Sequence, residues 1–358
     1  MINLAEKYAS QIGKKFSHGS YIKGNTSNKY DFSGVKTIRI ITPITVPEGN
    51  YQRSGMQRYG TPVEMQDEMQ ELVMSQDRSA TLTIDKGNLK DQLNLKGAGE
   101  MIGLQLKEQT VPNADRYAFL RYVQNAGKIT AMAKPDVKNI VNAIVAAEAF
   151  FDENEVPDEG RILYITTELY SLIQLSDQYM SLERLGQKAV SRGEVGELGT
   201  FRIIKVPLKR LPENVHFLAT YKGSLLFPFK IQDAKYHSDP PGISGDLLEL
   251  RHYYDAFVIG TKAAGVYAAV ATGSQQAAPT VTYTAGSTDT IVIASAGASE
   301  IKYTLDGTDP RYSTSAAVYS AAISTATWPV GDKVTVRTAA YSATKYTSDV
   351  TEQVVTVA

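Results

Sequence analysis

Four histidines, His18, His216, His237 and His252, are the readiest general bases and metal ligands in this chain, and no two stand close together in sequence. Transition-metal sites usually draw two ligands from one short span, so ordinary surface or strand positions are expected for all four. The 358 residues include no cysteine, which removes thiolate ligands, cysteine nucleophiles and disulfides. Gly97, Gly99 and Gly103 fall one residue out of register for the turn that cradles a dinucleotide pyrophosphate, and no strong strand precedes them. The carboxylates Asp152, Glu153, Glu155, Asp158 and Glu159 gather where a helix should end, a place for a solvated acidic face rather than a paired acid and base. Asp306 and Asp309 could hold calcium, but two carboxylates fall short of the roughly six to eight oxygens that ion takes, and Asp-Gly and Asp-Pro steps favour turns. With no HExxH and no P-loop either, the chain reads as a non-enzyme without metal or cofactor.

Contact chemistry is denser. Arg53, Arg58 and Tyr59 lie among Gly49, Gly55 and Gly60, and Glu64, Asp67, Glu68 and Glu71 follow close behind. Both charge signs within one long polar extension suit a repeated intersubunit contact, where complementary charge fixes register more than it adds affinity. Arg53, Arg58, Tyr59, Glu64, Asp67 and Glu68 are therefore the candidate contacts, with a solvated loop as the alternative. Near the C-terminus, Tyr312 and Trp328 are candidate surface contacts that could stack on a sugar ring; packing in a small core is the competing role.

These residues need elements to position them. A composition of 43% hydrophobic and 21% charged residues supports a packed core and more than one domain. The formal net charge of −1 gives no overall attraction for nucleic acid, so contact with DNA would be diffuse and local. Ile2, Tyr8, Ile12 and Phe16 recur at helical spacing and predict a short amphipathic arm. Charges interrupt its apolar runs, so neither a signal-peptide core nor a membrane span is expected, and the mature chain is expected to begin near Met1. The β-branched run Val35 to Val46 and the alternation at Thr81 to Ile84 predict two strands of one hairpin. Asn94 to Asn125 predicts a helix broken or kinked around Val111-Pro112. A second helix is predicted from Pro135-Asp136, with Val137, Ile140, Val141, Ile144, Val145 and Phe151 as its apolar face. Arg161 to Ile165 reads as a buried strand running into a helix capped by Thr166 or Thr167. Strands at about 201–206, 215–219, 231–236, 247–259 and 265–270 complete an α+β body. Residues 271–279 read as a flexible small-residue linker, and 280–358 as an all-β sandwich with strands near 290–294, 301–305, 334–341 and 353–357.

In this order the elements resemble the tailed-phage major capsid protein fold of the Hong Kong 97 type. Three runs carry the likeness: LKEQTVPNADRYAFLRY (106–122), VPDEGRILYITTELYSLI (156–173) and LLELRHYYDAFVIGTKAAGVYA (247–268). The resemblance implies an N-terminal arm at 1–34, an extended loop at 35–85, and a spine helix with peripheral and axial domains within 86–270. It further implies a homo-oligomer of pentamers and hexamers closing into an icosahedral head around double-stranded DNA, with scaffolding, portal and decoration proteins as candidate partners. Such a protein is expected in the virion capsid after assembly in the bacterial host cytoplasm.

The run IKYTLDGTDPRYSTSAAVYSAAI (301–323) resembles the immunoglobulin-like C-terminal domain appended to chitobiases and bacterial surface proteins, through Tyr303, Asp306, Gly307, Asp309, Pro310 and Tyr319. This implies an outward-projecting tail that contacts host surfaces or glycans, and its deletion after about Ala271 is expected to leave assembly intact. Two rival readings are a cell-surface glycan-binding protein, which explains the tail but not the body, and an enzyme with an appended sandwich, which the missing catalytic constellation disfavours.

Overall fold

The computed structural model describes residues 19–30, 32, 36–45, 48, 50–54, 58–59, 67–87, 98–176, 194–285 and 289–357. The amphipathic arm predicted over residues 2–16 and the candidate contact Glu64 lie outside the described residues.

Strand β1 (Thr37–Pro43) pairs antiparallel with β2 (Asp67–Val73), Thr37 opposite Val73 and Pro43 opposite Asp67. The hairpin expected between 35–46 and 81–84 does not form. The second run belongs to β3 (Gln76–Asp85), which pairs over its full ten residues with β11 (Gly245–Tyr254). Length and side-chain pairing decide the match: β11 sets Leu248 opposite Leu82, whereas β1 has seven residues and finds a seven-residue partner. On its other edge β11 pairs with β10 (Phe229–Ser238).

Helix α1 (Ala98–Gln105) passes through a π turn (Leu106–Thr110) into α2 (Val111–Gln124) without breaking. Pro112 lacks an N–H, and its ring would strike the carbonyl of Glu108 in a regular α-helix. The chain widens just before it: Val111 N–H bonds the Leu106 carbonyl, five residues back. Strand β4 (Lys128–Met132) follows, then α3 (Ile140–Glu153). Asp136 does not start α3. Its carboxylate accepts from the amides of Lys138 and Asn139 and makes the turn that precedes the helix. Ile140, Val141, Ile144 and Phe151 are buried as expected, while Val145 lies exposed.

Strand β5 (Arg161–Thr166) is buried throughout and enters α4 (Thr167–Gln174), whose first turn is capped by Thr166 Oγ1 accepting from Leu169 N at 3.3 Å. Around β5 a six-stranded mixed sheet is built from β4, β6 (Glu194–Leu198), β7 (Phe201–Val206), β8 (Val215–Tyr221) and β13 (Val266–Ala271), in the order β4-β13-β8-β5-β7-β6. Strand periodicity divides the core. Ile162 and Tyr164 face α2 with Phe119 and Tyr122, while Leu163 and Ile165 face α3 and α4 with Ile144 and Phe151. Short strands β9 (Leu225–Leu226) and β12 (Phe257–Val258) pair beside a third cluster, where Leu226 and Phe257 meet Ile40, Leu72 and Met74 at the base of β1 and β2.

Beyond β13 the chain forms a sandwich. One sheet holds β14 (Thr280–Thr284), β15 (Thr290–Ala294) and β18 (Ile323–Ser324). The other runs β17 (Ala317–Val318), β16 (Glu300–Thr304), β19 (Lys333–Tyr341) and β20 (Thr351–Thr356). Ile291, Ile293, Val336 and Val355 fill the space between them. No helix among the described residues is long and apolar enough to cross a membrane.

Candidate assembly surfaces

The β1–β2 pair carries the predicted contact loop. Gln52 N bonds the Arg58 carbonyl at 2.9 Å, and Tyr51 meets Tyr59 edge to face with centroids 5.0 Å apart. Arg53, Arg58 and Tyr59 are all exposed, Tyr59 at 91%. An aromatic ring beside two guanidinium-bearing residues forms an amphipathic, cationic tip suited to contact. Asp67 is exposed at the start of β2.

Glu68 behaves differently. Burial, followed by repulsion from Asp309 and Asp306 of the sandwich, raises its carboxyl above the ordinary range, against the opposing pull of Arg337. The charges acting on this expected intersubunit contact thus belong to its own chain. Because the folded state holds the proton more tightly than the unfolded one, this contribution is most favourable in acid and is lost as pH rises through the raised value. Glu68→Gln is expected to raise the thermal midpoint by about 1 °C at neutral pH, and the gain should vanish in acid, as read by paired melts across pH. An equal gain at every pH would contradict the assignment.

The small-residue composition of 271–279 predicts a flexible linker; the structure instead docks the sandwich on the body. In segment 271–279, Ala271 N bonds the Asn214 carbonyl at 2.7 Å, Thr272 N the Met132 carbonyl at 3.0 Å, and Gln276 N the Tyr346 carbonyl at 2.9 Å. The docking centres on the end of α2, where the last helical carbonyls lack intrahelical donors. Thr347 Oγ1 donates to the Gln124 carbonyl at 2.8 Å, the Tyr312 hydroxyl to the Asn125 carbonyl at 2.7 Å, and Arg311 Nη1 to the Ala126 carbonyl at 2.7 Å. Arg311 is aimed by Asp309, which accepts from Nε at 3.1 Å and from Nη2 at 2.7 Å. A cation at this end of a helix also meets the negative pole of the helix dipole, a favourable contact.

Tyr312 is therefore no surface ring: it is 8% exposed and joins Tyr346, 9% exposed, in the core cluster beneath α2. Gly260 permits the approach, since a Cβ there would lie 2.7 Å from Tyr312 Cβ. Trp328 is half-buried and packs against the sandwich's own core. Lys128 with Asp349, 2.5 Å apart, and Tyr346 with the Glu213 carbonyl complete the junction. The sequence signal for it was the Asp-Pro-Arg-Tyr run at 309–312, where a turn aims a long cation and an aromatic ring the same way.

A second anchor holds the N-terminal end of the described chain. Asp115 on α2 accepts from Ser20 Oγ at 2.6 Å, Tyr21 N at 3.0 Å and Arg210 Nη1 at 2.7 Å. The Arg210 guanidinium also lies 5.3 Å from the Tyr21 ring centroid. Among the histidines, burial lowers His216 and His252, and no cluster of three or more metal-ligating side chains occurs among the described residues.

Solved structures share the arrangement of the body. "Mycobacterium phage Che8" superposes with a TM-score of 0.60 at 15% identity, covering 75% of this chain and 97% of that one. "Capsid structure of the Cyanophage P-SCSP1u" gives 0.61 at 12% identity, covering 76% and 94%. "Asymmetric unit of bacteriophage PhiM1 mature capsid" gives 0.58 at 14% identity, covering 75% and 92%. The body has a phage capsid fold. It takes up about three quarters of this chain and nearly the whole of each of those proteins, so the sandwich is additional to the shared fold. A family model described as "Fn3 associated" matches residues 291–355, inside that sandwich. No curated protein matches the sequence.

Proposed function

We propose that this chain is the major capsid protein of a tailed double-stranded DNA phage, many copies closing into an icosahedral head. The observation that carries the reading is a capsid fold filling the body from the arm anchor to β13, with coverage of 92–97% of the capsid-fold chains compared. We assign the Hong Kong 97 parts accordingly: extended loop at 35–85, spine helix in α1 and α2, and peripheral and axial domains within 86–270. A geometry of this kind works by repeated contact, each subunit's loop meeting the next until rotation closes the set. The exposed tip with Arg53, Arg58 and Tyr59 supports the loop as one such contact.

The sandwich is assigned to the outer face. Beyond residue 270 the chain has seven carboxylates against five lysines and arginines, a balance unsuited to lining packaged DNA. Any contact with a host surface or glycan would have to use its remaining free surface, since Tyr312 is buried and Trp328 half-buried. Expression of the full chain followed by electron microscopy is expected to give closed isometric particles. Protein that stays monomeric under assembly conditions, and is missing from virions, would overturn the reading.

A further inference from the structure

We propose that the C-terminal sandwich is a built-in brace, whose loop 306–315 fixes the base of the β1–β2 arm against the end of α2. The sandwich thereby sets the direction in which the arm reaches. The brace belongs to the single chain; its consequence for reach rests on the capsid reading.

Three surfaces meet on this one loop. Arg311 and Tyr312 hold the carbonyls beyond α2, and Tyr312 lies against Gly260. On the third side, Thr314 N donates to the Met69 carbonyl at 3.1 Å, and Ser313 forms an isolated antiparallel bridge with Gln70 of β2. Gln70 closes the circuit: its Nε2 donates to the Val258 carbonyl at 3.0 Å, and its Oε1 accepts from Gly260 N at 2.8 Å. Arm, helix end and the turn at Gly260 are thus tied through neighbouring residues of one loop.

A loop transmits position only if it is stiff, and this one is cross-linked from within. Asp306 accepts from Thr308 N at 3.0 Å, Thr308 Oγ1 at 2.6 Å and Ser315 Oγ at 2.7 Å. Thr304 Oγ1 donates to the Thr308 carbonyl at 2.6 Å, and Asp309 grips Arg311 from the same loop. The arm has need of such support. A two-stranded ribbon is marginal by itself, and among the described residues the apolar cluster at Ile40 and Leu72 sits under its base without including its outer half.

The test is hydrogen–deuterium exchange on the purified full chain. Arg311→Ala is expected to speed amide exchange about tenfold in both 124–128 and 67–73, while the buried strand β5 stays at the wild-type rate. A change at 124–128 with none at 67–73 would overturn the brace, because the helix end would then be capped without consequence for the arm. Asp306→Ala serves as the second variant in case the first fails to fold. Asp306 is exposed and its side-chain hydrogen bonds stay within the loop, so its loss loosens the loop; it also relieves the repulsion on Glu68, which by itself would slow rather than speed exchange at 67–73. About threefold faster exchange at 67–73 is expected from it, and an unchanged rate there would overturn the proposal. Failure of wild-type protein to form shells would count against the capsid reading and leave the exchange result standing.

Discussion

Deleting residues 272–358 is expected to produce a body that aggregates or melts far below the full chain, rather than an assembly-competent subunit. Both Tyr312 and Tyr346 belong to the core cluster beneath α2, and burying a large side chain contributes about 1.5–3 kcal/mol. The carbonyls of Gln124, Asn125 and Ala126 would also lose their side-chain donors, at about 1 kcal/mol each. Together these terms reach several kcal/mol, a large share of the roughly 5–15 kcal/mol that separates folded from unfolded domains. Soluble yield, thermal midpoint and particle formation of the truncated and full chains would check this. A soluble truncated protein melting within about 2 °C of the full chain would show the sandwich to be a passenger.

The reversal of the linker expectation has a definite physical source. Ala, Ser, Thr and Gly at 271–279 have low burial potential of their own, and this is the composition of flexible tethers. What holds the segment is its backbone, bonded to Asn214, Met132 and Tyr346, and side-chain composition does not report such bonds. Arg311 was hidden for a related reason. An arginine in a turn reads as solvated until the unpaired carbonyls of a helix end some 185 residues earlier are known to face it.

Elements whose cause is local were legible. Thr166 followed by an apolar face signalled both the end of β5 and the start of α4, and the buried positions of α3 follow its 3.6-residue period. The sandwich strands emerged from short β-branched runs between turns. Strand β2 did not, because its inward-facing residues read as polar: Glu68 and Gln70 alternate with Leu72 toward the sandwich and body. Gln70 is compatible with that position only because Val258 and Gly260 satisfy it, almost 190 residues away in sequence. The same remoteness misassigned β3, whose partner β11 lies far downstream. In the predicted contact loop Arg53, Arg58 and Tyr59 are exposed, whereas nothing in the sequence indicates that Glu68 sits under the field of the sandwich.

Asp115→Ala should be the most damaging single substitution in the body, because it breaks a buried ion pair from one side. Asp115 is 0% and Arg210 3% exposed, so removing the carboxylate takes away the anion that lies 2.7 Å from a guanidinium buried from water. Breaking a buried pair from one side costs about 3–5 kcal/mol, more than deleting most apolar side chains by a single methyl. Tyr21 N and Ser20 Oγ lose their acceptor as well, so the chain entering from residue 19 should detach from α2. Two further variants separate charge from anchoring. Asp115→Asn keeps an oxygen for Tyr21 N while removing the negative charge opposite Arg210, and should fall between wild type and alanine. Asp115→Leu combined with Arg210→Met removes both charges and refills the volume, so the melt should return to within about 1 kcal/mol of wild type. Exchange at residues 19–22 should nevertheless stay fast in the double variant, since a leucine at 115 offers Ser20 and Tyr21 no acceptor. Recovery of both stability and exchange protection would mean that apolar packing of Tyr21 and Ile22 alone holds the arm, and that the ion pair is dispensable there.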